Sequence, residues 1–536
     1  MLKTTRGIDG TKIEPAGELA ERIYLNIARL TAPCYRPEAI YSADQAGWPG
    51  DWEGRTLLAL VSQWKATGAK PAYVDRIIED MPNHFNEKGY LGPVYETDRA
   101  DGLPETVDEQ QLSGHNWLLR GLLEYYLLTG RPEIRTHILD VVTNLYLPLT
   151  GCYPSYPLDP ALRKDGGRSG TISGASGRWK LSSDVGCAFM CLDALSHVYE
   201  VFRLPEVREL ADEMIDVFSR IDFLATHMQT HATLSAVRGL LRMAETLGTD
   251  SCGKYLKTAE NIFDTYVGHG MTENYANYNW FGRPDTWTEP CAVVDSMMVA
   301  LSLFRLTENE KYAQLANRIW YNALGYAQRP NGGYGTDKCV GPAGDILMPS
   351  GAGISEAYWC CTMRGAEGLL ARTENSVLVP DGDEDAGKAS VWLPFSTDVN
   401  YDCRRFRISV RSDLPGDGTV NIRATALTDV NLTVHAYTPD GFRTFSQYLT
   451  AGGSTTFSVP VSYGIQRVRS RDGRKFKYMR GDLILGKRSG ESDDGNGASG
   501  LQPVTDMREL DLTAAGSDRR VILFSFGGSE EGERRN

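Results

Sequence analysis

The sequence predicts a mainly α-helical domain followed by an all-β domain. Residues 16–375 carry apolar stripes at helical spacing, separated by short polar turns. After residue 375 the pattern changes to short, β-branched and often alternating segments. A chain of 536 residues is long enough for more than one domain with a core of its own. We therefore expect a helical domain over residues 1–375 and a β domain over residues 376–536.

The helical part is divided by turns at which one helix ends and the next begins. "YYLLTGRPEIR", "VYEVFRLPEVREL" and "LFRLTENEKYAQL" each place Gly, Pro or Asn at such a turn. About twelve helical segments joined by short loops predict six antiparallel hairpins. Closing them into an (α/α)6 toroid buries every stripe, although an open solenoid has the same local signature. One stripe, in "CAVVDSMMVALSLFRL", consists of Val293, Met297, Ala300, Leu301 and Phe304.

The C-terminal part contains segments such as "KASVWLPFS", "RRFRISVRSDL" and "VNLTVHAYTP". Short alternating segments between turns predict an all-β sandwich, for which about 160 residues is a normal size. "SGESDDGNGASG" at 489–500 predicts a mobile loop, and the terminal "GGSEEGERRN" predicts a disordered tail.

Composition and charge restrict the class of partner. The net charge of −13 argues against nucleic acid and anionic membranes, because no excess of Lys and Arg is present to neutralise phosphates. No run of 18 apolar residues and no apolar signal segment is seen. The ten cysteines have no disulfide-framework spacing, so we expect a reduced, cytoplasmic protein. A homodimer is compatible with the sequence.

The two adjacent cysteines in "SEAYWCCTMRGAEG" precede a helical pattern. A helix N-terminus favours the thiolate form, which is both the nucleophile and the metal ligand. The alternative is that Cys360 and Cys361 are buried structural residues, since cysteine is among the most buried residue types.

"DTWTEPCAVVDSM" places Glu289 two residues before Cys291, again where a helix begins, with Thr288 as a candidate N-cap and Pro290 near the first helical position. In an extended segment residues i and i+2 point the same way. Together with the cysteine pair, this segment supplies three thiolates and a carboxylate, a set that suits four-coordinate Zn²⁺. The spacing is not that of a zinc finger.

Three further side chains are candidates for contact with a ligand. Glu273 lies in an aromatic, Asn-rich loop, where a raised pKa would suit a general acid, but an exposed loop glutamate is the alternative. His115 and His231 each begin a long helical run; they are either satisfied structural histidines or ligand-binding groups.

Together, "TEPC", "AYWCCTMRGAEG" and Glu273 resemble glycoside hydrolase family 127, whose best-known members are β-L-arabinofuranosidases. That family has a Glu-x-Cys motif, a later Cys-Cys pair at a helix start, and an acidic residue sixteen positions before the motif's glutamate. Glu273 and Glu289 are sixteen residues apart here. The resemblance covers residues 20–490 loosely, and it implies an (α/α)6 barrel joined to a β-sandwich.

The resemblance also implies roles for individual residues. Zn²⁺ would be held by Glu289, Cys291, Cys360 and Cys361, with Cys360 as nucleophile and Glu273 as general acid/base. The residues that look like the family's sugar-contacting side chains are His115, His231 and Tyr334. Asp51, Trp52 and Glu53 match the family's early acidic-aromatic segment only loosely.

Two departures from the family bear on specificity. Asn317 stands where the family commonly has an acidic residue that contacts sugar hydroxyls, so it is the candidate substrate-binding residue at this position. Pro290 inside Glu-x-Cys is unusual. These departures therefore leave a sugar other than L-arabinofuranose as an alternative substrate.

The function predicted is a zinc-dependent, retaining exo-glycosidase that hydrolyses terminal β-L-arabinofuranosides or a related small sugar. A thiolate would attack the anomeric carbon while Glu273 protonates the leaving oxygen, and hydrolysis of the thioglycoside would follow. The alternatives are a metal-independent (α/α)6 hydrolase or epimerase, and a non-catalytic carbohydrate-binding protein with a structural zinc ion.

Overall fold

The computed structural model describes most of the chain. The described residues are 1–4, 12–42, 47–97, 101–163, 169–248, 252–339, 346–347, 356–380, 387–471, 476–488, 502–503 and 521–522. The loop predicted at 489–500 and the predicted disordered tail lie outside the described residues.

The α-helices of the described part are all N-terminal to residue 375. They are α1 (Gly17–Leu30), α2 (Pro37–Ile40), α3 (Asp51–Thr67), α4 (Val74–Asp80), α5 (Glu109–Thr129), α6 (Pro132–Val141), α7 (Leu192–Phe202), α8 (Pro205–Phe218), α9 (Thr230–Leu247), α10 (Gly253–His269), α11 (Pro290–Thr307), α12 (Glu310–Ile319), α13 (Gly325–Ala327) and α14 (Cys361–Glu374).

Six of these helices form a closed ring of contacts. In order, α3 packs on α5, α5 on α7, α7 on α9, α9 on α11, α11 on α14, and α14 on α3. Each ring helix carries one outer helix: α4 on α3, α6 on α5, α8 on α7, α10 on α9, α12 on α11 and α1 on α14. The N-termini of α11 and α14, which carry the cysteine motifs, belong to neighbouring helices of this ring.

Local sequence explains where the helices begin and end. Asp108 caps α5 by accepting the N–H of Gln110, and Asn309 caps α12 by accepting the N–H of Lys311. The left-handed glycine Gly130 ends α5. The stripe predicted on α11 is confirmed, because all five of its residues are buried. This helix is long and apolar enough to cross a membrane, and 72% of its residues lie inside the protein.

Twenty-one strands complete the described structure. Five short ones lie among the helices: β3 (Val107–Asp108), β4 (Ile172–Ser176), β5 (Trp179–Ser182), β6 (Trp287–Thr288) and β7 (Asp337–Lys338). Two precede α1: β1 (Leu2–Thr4) and β2 (Lys12–Pro15). The others are β8 (Ile346–Leu347), β9 (Leu378–Pro380), β10 (Lys388–Leu393), β11 (Val399–Asp402), β12 (Phe406–Ser412), β13 (Gly418–Ala426), β14 (Val430–Thr438), β15 (Gly441–Leu449), β16 (Ser454–Val461), β17 (Ile465–Arg469), β18 (Phe476–Arg480), β19 (Leu483–Arg488), β20 (Gln502–Pro503) and β21 (Val521–Ile522).

Two five-stranded sheets share one hydrophobic core. Their strand orders are β1-β9-β10-β14-β15 and β16-β13-β12-β11-β2. On β12, Phe406, Ile408 and Val410 are buried while Arg407 and Arg411 are exposed, the alternation expected of a half-buried strand. Side chains from both sheets meet in the same cluster. A third sheet has the order β17-β18-β19-β21-β8, with β20 paired to β19.

The prediction of a helical part followed by a β part is confirmed in this coarse form. The division between residues 375 and 376 stays a prediction. The structure adds one feature to it: β1 pairs with β9 and β2 pairs with β11, both antiparallel, so the N-terminus contributes strands to the sheets of the C-terminal part.

Candidate active site

Two helix N-termini lie side by side at the candidate site. The helix α11 begins at Pro290 and α14 begins at Cys361, and the two helices pack against each other. Glu289 therefore occupies the N-cap position, one residue later than the Thr288 cap expected from sequence. Cys360 occupies the corresponding position before α14. Because helix N-termini carry partial positive charge, both positions favour anionic side chains.

The four predicted metal ligands converge. Ligand atoms of Glu289, Cys291, Cys360 and Cys361 all lie within 4.8 Å of one another. The Cys361 Sγ is 3.5 Å from the Cys291 Sγ and 3.3 Å from the Cys360 Sγ. In a tetrahedral site with Zn–S bonds of about 2.3 Å, sulfur atoms are roughly 3.8 Å apart. The donor set and its spacing fit a zinc ion. We call these four residues the Glu/Cys3 cluster.

The three cysteines differ in their acidity. Hydrogen bonds with Cys291 and Cys361 lower the pKa of the Cys360 thiol to about 5. Burial instead raises the pKa of the Cys291 thiol to about 11 and also raises the pKa of Cys361. Cys360 is also the half-buried member, whereas Cys291 and Cys361 are buried. Of the three sulfurs, Cys360 is the one that combines thiolate character with access.

Glu289 is held in place by its neighbours. Its backbone N–H donates to the Oδ1 of Asn277 at 2.9 Å. Its carboxylate lies 3.3 Å from the Nδ1 of His231 and 3.5 Å from the Nε2 of Gln229. Burial lowers the pKa of His231, but Glu289, Cys291 and Asp295 together outweigh burial, so the pKa is raised. His231 is thus a close neighbour of a candidate ligand.

His231 is fixed on its other sides as well. Its Nε2 lies 3.4 Å from a carboxylate oxygen of Asp295. Its ring stacks on Trp117 with the centroids 5.6 Å apart. These contacts orient the imidazole toward Glu289, so His231 is part of the site that the cluster forms.

Arg55, on α3, contacts the sulfur atom of Cys291. Its Nη1 lies 3.8 Å from the Sγ of Cys291. Its Nε donates to both carboxylate oxygens of Asp51 at 2.9 Å. The guanidinium lies 4.1 Å from the centre of the Trp117 ring. Burial opposes its charge, but Asp51 and the sulfur of Cys291 outweigh burial and raise the pKa of Arg55.

Two glycines allow α3 to approach α5 closely enough for these contacts. A Cβ on Gly54 would lie 2.1 Å from the backbone nitrogen of Leu118, and one on Gly114 would lie 2.1 Å from the carbonyl oxygen of Pro49. Real side chains do not tolerate such distances. The glycines therefore set the separation at which Arg55 reaches Trp117 and Cys291.

Four other predicted residues lie in different surroundings. His115 accepts the N–H of Leu91 at one ring nitrogen and contacts the Gln111 carbonyl with the other. Burial lowers the pKa of His115 to about 4. Its contacts are those of the structural histidine that the sequence left open as an alternative.

Tyr334 contacts α14, whereas Asn317 lies on an outer helix and, within the part of the chain that the structure describes, forms its hydrogen bonds with none of the cluster's ligands. The Tyr334 ring packs on Gly365 of α14, and its N–H donates to the Oγ1 of Thr362 at 3.0 Å. Asn317, on α12, donates to the carbonyl oxygens of Ala313 and Pro394, both at 2.9 Å. Asn317 thereby joins an outer helix to the turn after β10.

Glu273 is bound by residues around β18. Its carboxylate accepts the N–H of Arg471 at 2.9 Å and lies 3.2 Å from the Nζ of Lys477. The same Nζ donates to the Glu273 carbonyl oxygen at 2.7 Å. The loop that contains Glu273 is aromatic and poor in charge in its sequence. In the structure it contacts Arg471 and Lys477, about 200 residues later in the chain. The loop's own sequence does not reveal these contacts.

Another carboxyl group, that of Asp184, is acted on by the charge of Glu289 and has a raised pKa. Asp184 is buried and accepts hydrogen bonds from the Ser169 hydroxyl at 2.7 Å and the Gly170 N–H at 2.8 Å. Burial raises the pKa of Asp184 to about 6, and the charge of Glu289 adds to the rise. The next residue, Val185, accepts the N–H of Gln229, whose side chain contacts Glu289.

Sequence reasoning missed Arg55, Trp117 and Asp184. Arg55 is 236 residues from Cys291 in the chain, and no motif connects them. The available signal was the i, i+4 pair of Asp51 and Arg55 in "DWEGRT", which predicts a helical ion pair without indicating its partner sulfur.

Comparison with known proteins identifies what this chain resembles. Residues 203–373, which contain the whole Glu/Cys3 cluster, match the family model described as "Beta-L-arabinofuranosidase, GH127 catalytic domain". No curated protein sequence matches the chain.

Solved structures with a similar fold include two that are named as GH127 proteins. A GH127 β-arabinofuranosidase has 14% identity and a TM-score of 0.62, and the alignment covers 91% of this chain and 85% of that chain. A GH127 β-L-arabinofuranosidase from Geobacillus stearothermophilus T6 has 12% identity and a TM-score of 0.62, covering 89% and 86%. A third, named a glycoside hydrolase, has 11% identity and a TM-score of 0.60, covering 92% and 85%. At these identities the likeness establishes a shared fold.

Proposed function

We propose that this enzyme is a retaining exo-glycosidase with Cys360 as its nucleophile, because residues 203–373 match the catalytic-domain model of glycoside hydrolase family 127. The proposed substrates are terminal β-L-arabinofuranosides or glycosides of a related small sugar. The observation that carries the proposal is the convergence of Glu289, Cys291, Cys360 and Cys361 within 4.8 Å, inside the matched segment.

The proposed reaction has two steps on sulfur. The Cys360 thiolate attacks the anomeric carbon as the bond to the leaving oxygen breaks, and a carboxylic acid gives that oxygen its proton. Water then attacks the anomeric carbon of the thioglycoside on Cys360 and gives a proton to the same carboxylate, while the C–S bond breaks and returns the Cys360 thiolate. Two displacements at one carbon return the original anomeric configuration.

Zn²⁺ is the proposed metal, held by Glu289, Cys291, Cys360 and Cys361. When bound, it supplies a cation that keeps the cysteines deprotonated and in a fixed orientation. His231 orients the carboxylate of Glu289 through its 3.3 Å contact. The partial exposure of Glu289 and Cys360 favours an accessible site over a closed structural one, in which all four ligands would be buried.

Two carboxyl groups compete for the acid/base role. Glu273 is proposed from the family's sixteen-residue spacing to Glu289. Asp184 competes because its pKa of about 6 suits a proton donor near neutral pH. Glu273 would have to exchange its contacts with Lys477 and the Arg471 N–H for contact with the substrate.

We also propose the finer architecture and setting. The closed ring of six helices with six outer helices supports an (α/α)6 toroid, and the core shared by two sheets supports a β-sandwich. The lack of disulfide-framework spacing among the ten cysteines supports a reducing, cytoplasmic location. His231, which lies 3.3 Å from Glu289, is proposed to contact the sugar, and a homodimer is the proposed assembly.

The test is a screen of p-nitrophenyl furanosides and pyranosides and of unactivated disaccharides, with zinc quantified in each protein. We expect one zinc per chain, and we expect Cys360→Ser to abolish hydrolysis. The acid/base variant, Glu273→Gln or Asp184→Asn, should lose far more activity on disaccharides than on p-nitrophenyl glycosides, whose leaving group needs no proton.

The exposed Glu310→Gln on α12 is the control and should match wild type. Hydrolysis by a zinc-free wild type favours the metal-independent alternative. Stoichiometric zinc with sugar binding and no hydrolysis favours the carbohydrate-binding alternative. Equal activity in wild type and Cys360→Ser contradicts the proposed nucleophile.

A further inference from the structure

A buried arginine, Arg55, contacts a ligand of the Glu/Cys3 cluster without being a ligand itself. We propose that Arg55 is a positioning residue that holds the Cys291 sulfur and offsets the cluster's negative charge, so that the metal-loaded site is stable. The inference rests on the zinc site of the proposed function. It concerns how tightly the site binds its metal.

Arg55 directly contacts a sulfur atom of the cluster. The Nη1 of Arg55 lies 3.8 Å from the Cys291 Sγ, within reach of an N–H···S hydrogen bond. Arg55 is only 6% exposed, so water does not replace this contact. Groups that hydrogen-bond to a metal ligand fix its orientation, and their loss typically weakens metal binding by about 10–100-fold.

The charge of the cluster is not balanced by a divalent cation alone. Three thiolates and one carboxylate carry four negative charges, of which a divalent cation offsets two. Uncompensated charge in a buried site is costly. Arg55 supplies a positive charge beside Cys291, at a different ligand from Glu289, which His231 contacts.

Two partners hold the side chain of Arg55 in a fixed position. Asp51, one helical turn earlier on α3, binds the Nε of Arg55 through both oxygens at 2.9 Å. The Trp117 ring lies 4.1 Å from the guanidinium, a cation–π distance. The close approach of α3 and α5 at Gly54 brings Arg55 to Trp117, whereas the contact with Asp51 lies within α3. A side chain fixed by two partners loses little entropy when it binds a third.

The experiment measures metal affinity directly. Zn²⁺ and Co²⁺ dissociation constants are obtained by competition with a chromogenic chelator under reducing conditions, and the thiolate-to-Co²⁺ charge-transfer band is recorded. Arg55→Met keeps an unbranched apolar stem and removes the guanidinium and its charge, and we expect Zn²⁺ binding about 10–100-fold weaker. Arg55→Lys keeps the charge and should recover most of the affinity.

Arg22→Met is the matched control. Arg22 is also a buried arginine bound by a carboxylate four residues earlier, Glu18, at 2.8 Å, and it also lies near a tryptophan ring, that of Trp320. Its loss should leave Zn²⁺ affinity and the charge-transfer band unchanged. A structural effect of losing any buried arginine would lower affinity in both variants.

Equal Zn²⁺ affinity in Arg55→Met and wild type overturns the role of Arg55 and leaves the proposed function intact. A wild-type protein that binds no Zn²⁺ overturns both. If Arg55→Met does not fold by circular dichroism, Asp51→Asn decides the question, because it leaves the charge but loosens its hold. Weaker binding in Asp51→Asn supports the inference, and wild-type affinity contradicts it.

Discussion

Adjacent cysteines in this chain differ in chemistry because one ends a turn and the other begins a helix. Cys360 is half-buried with its pKa lowered by its sulfur neighbours, while burial raises the pKa of Cys361. One residue along the backbone therefore separates a candidate nucleophile from a candidate ligand that has no access to solvent. The sequence identifies the two adjacent cysteines, but their different roles were inferred only from the family resemblance.

His115 makes a prediction at the same scale. Burial lowers its pKa to about 4 in the folded protein, below the ordinary 6.5, so the unfolded chain binds more protons between these values. Stability is fully present above pH 6.5 and is lost as pH falls toward 4, by at most about 3 kcal/mol. We expect the urea midpoint of wild type to fall more steeply over this range than that of His115→Gln. Parallel pH profiles would contradict this account of His115.

The contact between α3 and α5 shows why part of the site is not visible in the sequence. A glycine inside a helical pattern ordinarily indicates a weak or ending helix. Gly54 and Gly114 instead mark the places where two backbones come together. Because the contact depends on a partner helix sixty residues away in the chain, "DWEGRTLL" alone does not reveal that Arg55 reaches a sulfur.

Gly54→Ala tests this element-scale claim. The added methyl group would lie 2.1 Å from the Leu118 nitrogen, and we expect a loss of about 3 kcal/mol or more, because backbone must move. Zn²⁺ affinity should fall with it, since Arg55 moves with α3. Gly253→Ala is the control: Gly253 begins α10 and has no atom within 4 Å of an added Cβ. A thermal midpoint equal to wild type for Gly54→Ala would show that the helices are not set by this contact.

For the whole molecule, local periodicity predicted the helical and β parts because each element's stripe records its own burial. Val293 and Phe304 on α11 are buried, and β12 alternates as expected. Periodicity does not record which elements meet. The pairing of β2 with β11 and the ion pair of Glu273 with Lys477 both join segments that are distant in sequence. The cysteine pair alone also fits buried structural residues, so Glu-x-Cys and Cys-Cys predicted a ligand set only when the two motifs were read together.

The central claim is that the Cys360 sulfur becomes covalently bound to the sugar during turnover. The most direct measurement is mass spectrometry of the zinc-loaded enzyme quenched while it hydrolyses an active p-nitrophenyl glycoside, with fragmentation of the peptide that contains Cys360 and Cys361. The account predicts a mass increase of one glycosyl residue on Cys360, absent from Cys360→Ser. A turning-over, zinc-loaded enzyme that carries the glycosyl group on another residue would contradict it, as would a product of inverted anomeric configuration.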